Sequence, residues 1–202
     1  MRQETRRLTD AGALRALAHP VRQEIYEHIV LRGALTATEL GDLLDETPAN
    51  CSWHLRKLAE HGFVEPAEGG KGRQRPWQAT SRGLSWGGAE DDDETRRTGT
   101  AMTRMMVDRE RTRLDHALER LRTDDPVWDE AANVNQSLLW LTADELAEIN
   151  ETLKEIATRS LDRHDDPSLR PPGSRLCAFL AWAVPTYDVI EPTPDDDAPH
   201  AD

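Results

Sequence analysis

The feature that most constrains this chain is a helical pattern between residues 48 and 62. Cys51, Leu55 and Leu58 recur at the spacing of one helix face, so we predict that they point into a small core. The opposite face is polar, basic and aromatic, and it carries Asn50, Trp53, Arg56 and Lys57. Such a helix uses one side for folding and offers the other side to a partner.

A hairpin is predicted directly after this helix. Phe63 and Val64 open its first strand, residues 69–72 supply a glycine-rich tip, and residues 73–78 alternate along the return strand. Its basic side chains are Lys71, Arg73 and Arg75. We therefore expect a cationic wing beside the exposed helix face.

Helix-start signals place further helices upstream. Thr9 or Asp10 can cap a first helix, Pro20 suits the first turn of a second, and Thr36 opens a capping box for a third. The third and fourth helices, with a turn at residues 45–47, form a helix-turn-helix. The predicted fold class is mainly α with small β (α+β): a winged helix-turn-helix domain, a long helix and a small strand-helix-strand module.

The distribution of charge decides whether a polyanion can be a partner. The formal net charge is -13, which argues against DNA because affinity for DNA depends largely on neutralised phosphates. However, residues 1–86 hold 12 Lys and Arg against 11 Asp and Glu, and the remainder holds 13 against 27. Basic residues also concentrate on or beside the predicted helix face and wing. Double-stranded DNA is therefore the expected partner, with salt-sensitive and modest binding per monomer.

A DNA-binding surface would use these side chains in different ways. Asn50 can pair with adenine and Arg56 with guanine, whereas the hydroxyl, imidazole and ammonium groups nearby suit phosphates. The wing can lie along the minor groove or its phosphates. The predicted DNA-binding residues are Asn50, Ser52, Trp53, His54, Arg56, Lys57, Lys71, Arg73 and Arg75. The alternative is a solvated helix face with Trp53 as a partly exposed packing residue.

Two segments resemble a known family. Residues 52–58 read SWHLRKL and are followed by Gly62-Phe63-Val64, which resembles the SxHLxxLxxxGLV signature of ArsR-type winged helix-turn-helix transcriptional regulators. LAHPVRQEIYEHI, at residues 17–29, is similar to the opening segment of that family. The resemblance covers about residues 8–84 and implies a dimeric repressor or activator on a pseudo-palindromic operator.

The resemblance does not extend to metal sensing. Metal-sensing members carry cysteines in the third helix, but here that helix reads TATELGDLL. Another site of the family needs paired Asp and His, and residues 91–125 offer only His116 beside Asp115. Cys51 and His54 are spaced to share a ligand, but we prefer to interpret Cys51 as a small buried hydrophobe. We expect neither a metal nor another cofactor.

A long helix is predicted from about Thr95 to Arg122, after an acidic connection. One stripe of this helix is apolar, although Arg109 and Arg113 interrupt it. We interpret the stripe as a homodimer contact, with the core of a monomer as the alternative. Its residues are Met102, Met105, Met106, Leu114, Leu118 and Leu121.

A third region is predicted to be a strand-helix-strand module. Residues 137–141 and 175–184 suit strands, and Thr142 with Glu145 forms a capping box for the helix between them. Its rings are candidate walls of a ligand pocket, or otherwise the core and dimer contact of a small module. These residues are Trp128, Trp140, Phe179, Trp182 and Tyr187. Nothing in the sequence identifies a small-molecule effector.

The predicted organisation has four parts. Residues 1–86 form the winged domain, residues 87–125 the connection and long helix, residues 126–190 the module for dimerisation or ligand sensing, and residues 191–202 a disordered acidic tail. No apolar run reaches the length of a membrane helix, and the cysteines fall in different parts, so a reduced cytoplasmic protein is expected.

An enzyme and a protein-binding adaptor are the alternatives to a regulator. A phosphate-binding loop, a dinucleotide glycine motif and a nucleophile elbow are all missing from the sequence, so we do not expect an enzyme. A winged-helix adaptor that binds proteins and not DNA is the alternative, and the acidic net charge suits it. Loss of DNA binding on removal of the interface arginines would separate the two classes.

Overall fold

The structure is a computed structural model, and it describes residues 3–69, 75–88 and 90–187. The chain divides into two units, Met1–Val134 with Ser160–Leu176 and Asn135–Arg159 with Cys177–Asp202. Lys71, Arg73 and the predicted acidic tail lie outside the described residues. The fold class is α+β with a winged helix, as the sequence predicted.

The first four helices begin where the sequence signals predicted. Asp10 caps the first helix with its side chain, and Thr36 and Glu39 make both bonds of a capping box for the third. Pro20 and Pro48 lie in first turns, where an amide hydrogen would have no helical acceptor. The helices are α1 (Ala11–Leu17), α2 (Pro20–Arg32), α3 (Ala37–Leu44) and α4 (Pro48–Glu60).

These helices enclose one aliphatic core. Leu14, Ile25, Leu40 and Leu55 are 0% exposed, and Phe63 at the end of α4 joins them. Full burial of a side chain of this size contributes about 1.5–3 kcal/mol. The core therefore fixes which side of α4 faces outward.

The wing is a short antiparallel pair. β2 (Val64–Pro66) pairs with β3 (Trp77–Ala79). Trp77 and Leu35 also exchange main-chain hydrogen bonds of 2.8 and 3.0 Å. The base of the hairpin is thereby joined to the connection between α2 and α3.

A second sheet has no counterpart in the predicted fold. β1 (Gln3–Leu8) runs parallel to β4 (Ser81–Trp86). Arg6 of β1 donates a 2.8 Å hydrogen bond to the carbonyl of Gly62, and its guanidinium carbon lies 4.9 Å from the ring centroid of Phe63. This strand therefore stabilises the end of α4 and the start of the wing.

Two further helices, one long and one short, follow the wing. α5 (Asp93–Leu121) is capped by Asp92 and packs on α1, and α6 (Pro126–Ala131) comes next. Met102 of α5 is buried, and the side-chain amide nitrogen of Gln23 on α2 donates to its sulfur at 3.4 Å. None of the described helices is long and apolar enough to cross a membrane.

The second unit contains the predicted helix but not the predicted strands. α7 (Ala143–Thr158) starts with the capping box of Thr142 and Glu145, and both of its bonds are present. The prediction of strands at residues 137–141 and 175–184 is wrong within the described residues, because both segments lie outside regular structure. A short two-stranded ribbon is marginal in water without a covered apolar face, and these side chains are exposed.

Candidate nucleic-acid interface

A tight turn sets the angle at which α4 leaves α3. Asp45 ends α3 in the left-handed conformation, with φ 53°. Gly41 lies beneath the turn, and a Cβ added there would lie 2.7 Å from the carbonyl oxygen of Glu46. The side chain of Thr47 then accepts a hydrogen bond from the amide of Asn50 and starts α4. This is the helix-turn-helix arrangement that presents its second helix outward.

The inner face of α4 is formed as predicted. Cys51, Leu55 and Leu58 are 0% exposed and belong to the core. Burial raises the pKa of the Cys51 thiol, with a smaller contribution from the charge of Glu46. A thiol in such surroundings behaves as a small hydrophobe. In the part of the chain that the structure describes, no group of three or more His, Cys, Asp and Glu side chains is placed to hold a metal ion.

The DNA contact of His54 stays a prediction, but the structure buries this side chain. Its side chain is only 4% exposed, and its ring lies 4.8 Å from the rings of both His19 and Trp53, centroid to centroid. Burial lowers the pKa of His54, and the charges of His19 and Arg22 lower it further. The helical spacing that buries Cys51 also turns the residue three positions later inward. In this position the imidazole lies against the core and leaves little surface for a phosphate.

The outer face of α4 carries the remaining predicted residues. Trp53 is 46% exposed, and Arg56 is exposed as well. Ser52, Asn50 and Lys57 are half-buried. The face therefore offers a ring, a guanidinium, a hydroxyl, an amide and an ammonium group to a partner.

Two carboxylates belong to this face and were not predicted as part of it. The amide nitrogen of Asn50 donates to Glu46 at 2.8 Å, and the Lys57 ammonium donates to Glu60 at 2.8 Å. The Lys57 hydrogen bond lowers the pKa of Glu60. Positions three apart on a helix are neighbours, so the spacing of Lys57 and Glu60 was a visible signal, whereas Glu46 lies in the turn before α4. When DNA binds this face, hydrogen bonds from Asn50 and Lys57 to the DNA would have to replace their bonds to Glu46 and Glu60.

The wing contributes one described basic residue. Arg75 is exposed just before β3. Across the two strands, the amide nitrogen of Gln78 donates to Glu65 at 2.9 Å, which holds the base of the hairpin together. The predicted contacts of Lys71 and Arg73 lie outside the described residues.

The other predicted sites fall in different surroundings. On α5, Met105, Met106 and Leu121 are half-buried, whereas Leu114 and Leu118 are 41% and 48% exposed. Of the five predicted pocket rings, Trp128 belongs to the first unit and the other four to the second. The guanidinium carbon of Arg175 lies 4.5 Å above the Trp128 ring, and Arg175 also pairs with Asp124 at 2.7 Å. Trp128 therefore packs against Arg175 of its own unit.

The comparison with known families agrees with this geometry. Residues 17–67 match the family model described as a helix-turn-helix domain. No curated protein matches the chain. The match runs from the end of α1 to the end of β2 and so contains the complete α3-turn-α4 arrangement. The fold and the match together define a helix-turn-helix domain, a class of domain that binds DNA.

Proposed function

We propose that this protein is a sequence-specific transcriptional regulator of ArsR type, without metal sensing, that binds a pseudo-palindromic operator as a homodimer. The observation that carries the proposal is the outward face of α4, with Trp53 and Arg56 exposed on a helix whose other face is buried. A helix of this kind fits the major groove, with base contacts from its exposed side chains. The wing lies on the backbone or in the minor groove.

The charge pattern supports DNA over an acidic partner. The 27 acidic residues beyond residue 86 outnumber the 13 basic ones there, but residues 1–86 are nearly balanced. Local potential governs docking when opposite charges are separated along the chain. Two subunits on one operator double the number of phosphate contacts, which offsets the modest basic character of each.

The proposal also covers the rest of the chain. Residues 87–125 form the acidic connection and the long dimerisation helix, on which Leu114 and Leu118 are exposed. Residues 126–190 serve dimerisation or the sensing of a small-molecule effector. The two α4 helices of a dimer would lie about 34 Å apart, which is the length of one turn of DNA.

Selection of bound sequences from a random DNA pool by the purified full-length chain tests the proposal. The expected result is an enriched motif with two half-sites related by a two-fold axis. Arg56→Ala should weaken binding to that motif by about 1–3 kcal/mol, because a guanidinium that reads a base edge is lost. Failure to enrich any motif would refute the proposal and favour the adaptor.

A pair of lysines provides a matched comparison. Lys57 and Lys154 each form an ion pair with a Glu three positions away, on α4 and α7 respectively. Lys57→Ala should reduce the salt slope of DNA binding by about 1, the value of one phosphate contact. Lys154→Ala should leave the slope unchanged. Equal slopes for both variants would show that α4 does not face the duplex.

A further inference from the structure

Three aromatic rings run inward from the outer face of α4. The Trp53 ring lies edge-to-face on the His54 ring, with centroids 4.8 Å apart and planes at 78°, and the His54 ring lies 4.8 Å from that of His19. Trp53 is 46% exposed, whereas His54 is only 4% exposed. His19 directly precedes the first turn of α2. The exposed indole therefore rests on a buried imidazole, which is itself packed on the connection between α1 and α2.

The two imidazoles carry buried nitrogens without partners. Nδ1 of His19 and Nδ1 of His54 are both buried, and neither has a hydrogen-bond partner among the described residues. Buried polar atoms are nearly always paired, so each exception calls for an explanation. A neutral imidazole tolerates such a nitrogen as an unused acceptor, whereas a protonated ring would bury a donor and a charge that nothing receives. Both rings are therefore suited to the neutral form.

Packing alone does not explain this pair of histidines. A phenylalanine at either position would fill similar space without an unpaired nitrogen. A metal ion does not explain the pair either, because structural metal sites use about four ligands, and in the described part of the chain no third His, Cys, Asp or Glu joins the two rings. What distinguishes two facing imidazoles from other rings is that they titrate close to neutral pH.

The positive charges around the pair oppose a proton. Arg22 on α2 is held at the end of α1, where its guanidinium donates to the carbonyl of Ala16 and, at 3.3 Å, to that of Arg15. Burial lowers the pKa of both histidines, and the charge of Arg22 lowers it further. The guanidinium of Arg15 itself pairs with Glu94 of α5 at 2.6 Å.

Among the described acidic groups, Glu46 is the one whose charge acts on His54. This carboxylate, in the turn before α4, raises the pKa of His54, but burial and the positive neighbours outweigh it. It already accepts a hydrogen bond from the side chain of Asn50 at 2.8 Å. Cys51, one turn before His54, is a buried thiol whose pKa is raised by burial, so it adds no charge. A proton on His54 would therefore compete with Asn50 for Glu46 and disturb a second residue of the predicted DNA-binding face.

We propose that His54 positions Trp53 for DNA while its imidazole is neutral, and that a proton taken up by this ring from solvent releases Trp53 and weakens DNA binding. The new cation would face His19 and Arg22 with little water to screen their repulsion. The imidazole then moves toward solvent, and the indole that rests on it moves as well. This inference rests on the proposed function and deepens it by naming a regulation of the α4 face.

The expected effect of acid is opposite to its ordinary effect. Protonation of carboxylates and exposed imidazoles makes a protein more positive, which strengthens its binding to phosphates. Here one proton must leave His54 before DNA binds, so the affinity of each subunit should fall by up to about tenfold per pH unit below the pKa of His54. A loss of affinity in acid therefore separates this device from general electrostatics.

DNA binding is measured with the full-length chain and the enriched duplex, by fluorescence anisotropy at constant ionic strength from about pH 8 to about pH 5.5. The wild type should lose affinity in acid, and so should His116→Gln, the control that removes an exposed imidazole of α5. His54→Phe keeps a ring but takes no proton, so it should bind like the wild type at the alkaline end and show no loss. His54→Gln should also show no loss, but it should bind about fivefold or more weakly at every pH, because the ring under Trp53 is missing. A wild-type affinity that is constant or rises in acid, or the wild-type loss in both His54 variants, would overturn the proposal.

Indole N–H signals in NMR report on Trp53 without DNA. Trp53→Phe identifies the Trp53 signal, and Trp86 is the reference, since its indole nitrogen donates to Thr103 at 2.8 Å. Over the same pH range the Trp53 signal should shift in the wild type and stay constant in His54→Phe, and the Trp86 signal should stay constant in both. A stationary Trp53 signal in the wild type, or loss of both signals together, would overturn the inference even where the chain binds an operator. Failure to enrich any motif would overturn the proposed function, and with it the DNA part of this inference.

Discussion

Removing the carboxylate of Glu27 should loosen α5 from the winged domain. Glu27 on α2 accepts hydrogen bonds from Arg109 and Arg113 on α5, both at 2.6 Å, and Arg113 also binds Glu110 at 2.8 Å. Exposed ion pairs contribute about 0.2–1 kcal/mol, and loss of one partner of a buried pair costs about 3–5 kcal/mol. The Glu27 side chain is 29% exposed, between these limits. Glu27→Gln should therefore lower the free energy of unfolding by about 1–2 kcal/mol after solvent screening.

Urea unfolding of a double-mutant cycle provides the assay. Glu27→Gln combined with Arg113→Gln should show a coupling of about 0.5–1 kcal/mol, and the coupling should shrink in 1 M salt, where the Debye length is about 3 Å. Asp115→Asn is the matched control, because Asp115 pairs with Arg111 on the exposed side of α5 at 3.5 Å. This control should show no measurable change. Zero coupling for Glu27 and Arg113 at low salt would refute the reasoning.

Other measurements test the core, the buried imidazole and the role of α5. Leu55→Ala should destabilise the fold by about 2–5 kcal/mol in urea unfolding, and a loss below about 1 kcal/mol would contradict its full burial. The lowered pKa of His54 predicts stability that is complete above its ordinary value of 6.5 and is lost as pH falls below it, since the unfolded chain then binds more protons. Urea unfolding against pH should show this loss, and His54→Gln should reduce it. A chain cut after Trp86 should be less stable than one cut after Arg122, by at least the roughly 1.5–3 kcal/mol of a buried Met102, and equal stability would show that α5 is dispensable.

The winged core could be predicted because its signals are local. Capping residues mark helix ends through bonds to the nearest amides, and Asp10 and Thr36 act at the predicted positions, as Thr142 does in the second unit. The face of α4 follows from spacing alone, since its buried positions are three and four residues apart. The burial of His54 follows from the same spacing, because His54 lies three positions beyond Cys51.

Non-local contacts explain what the sequence did not reveal. β1 is rich in arginine and its partner β4 lies at the far end of the domain, so neither strand has a periodic pattern of its own. Arg109 and Arg113 interrupt the apolar stripe of α5 in the sequence. In the structure they are the residues that bind Glu27. The residues predicted to read DNA remain predictions, because only a bound duplex shows which side chains reach base edges.

The contacts of α5 make it part of the winged domain as well as a connection. Gly99 allows a close approach, since a Cβ there would lie 3.4 Å from the ring of Trp86 and 3.9 Å from Leu14. The Trp86 indole nitrogen donates to Thr103 at 2.8 Å, and Arg15 pairs with Glu94 at 2.6 Å. The first half of α5 thus contacts α1 and β4, and Arg109 and Arg113 in its second half bind Glu27 of α2. Because α2 packs against α4, a shift of α5 would strain the same core that orients the outward face of α4. In the proposed homodimer, a change in subunit contact would therefore alter the spacing of the two α4 helices without any change in the helices themselves.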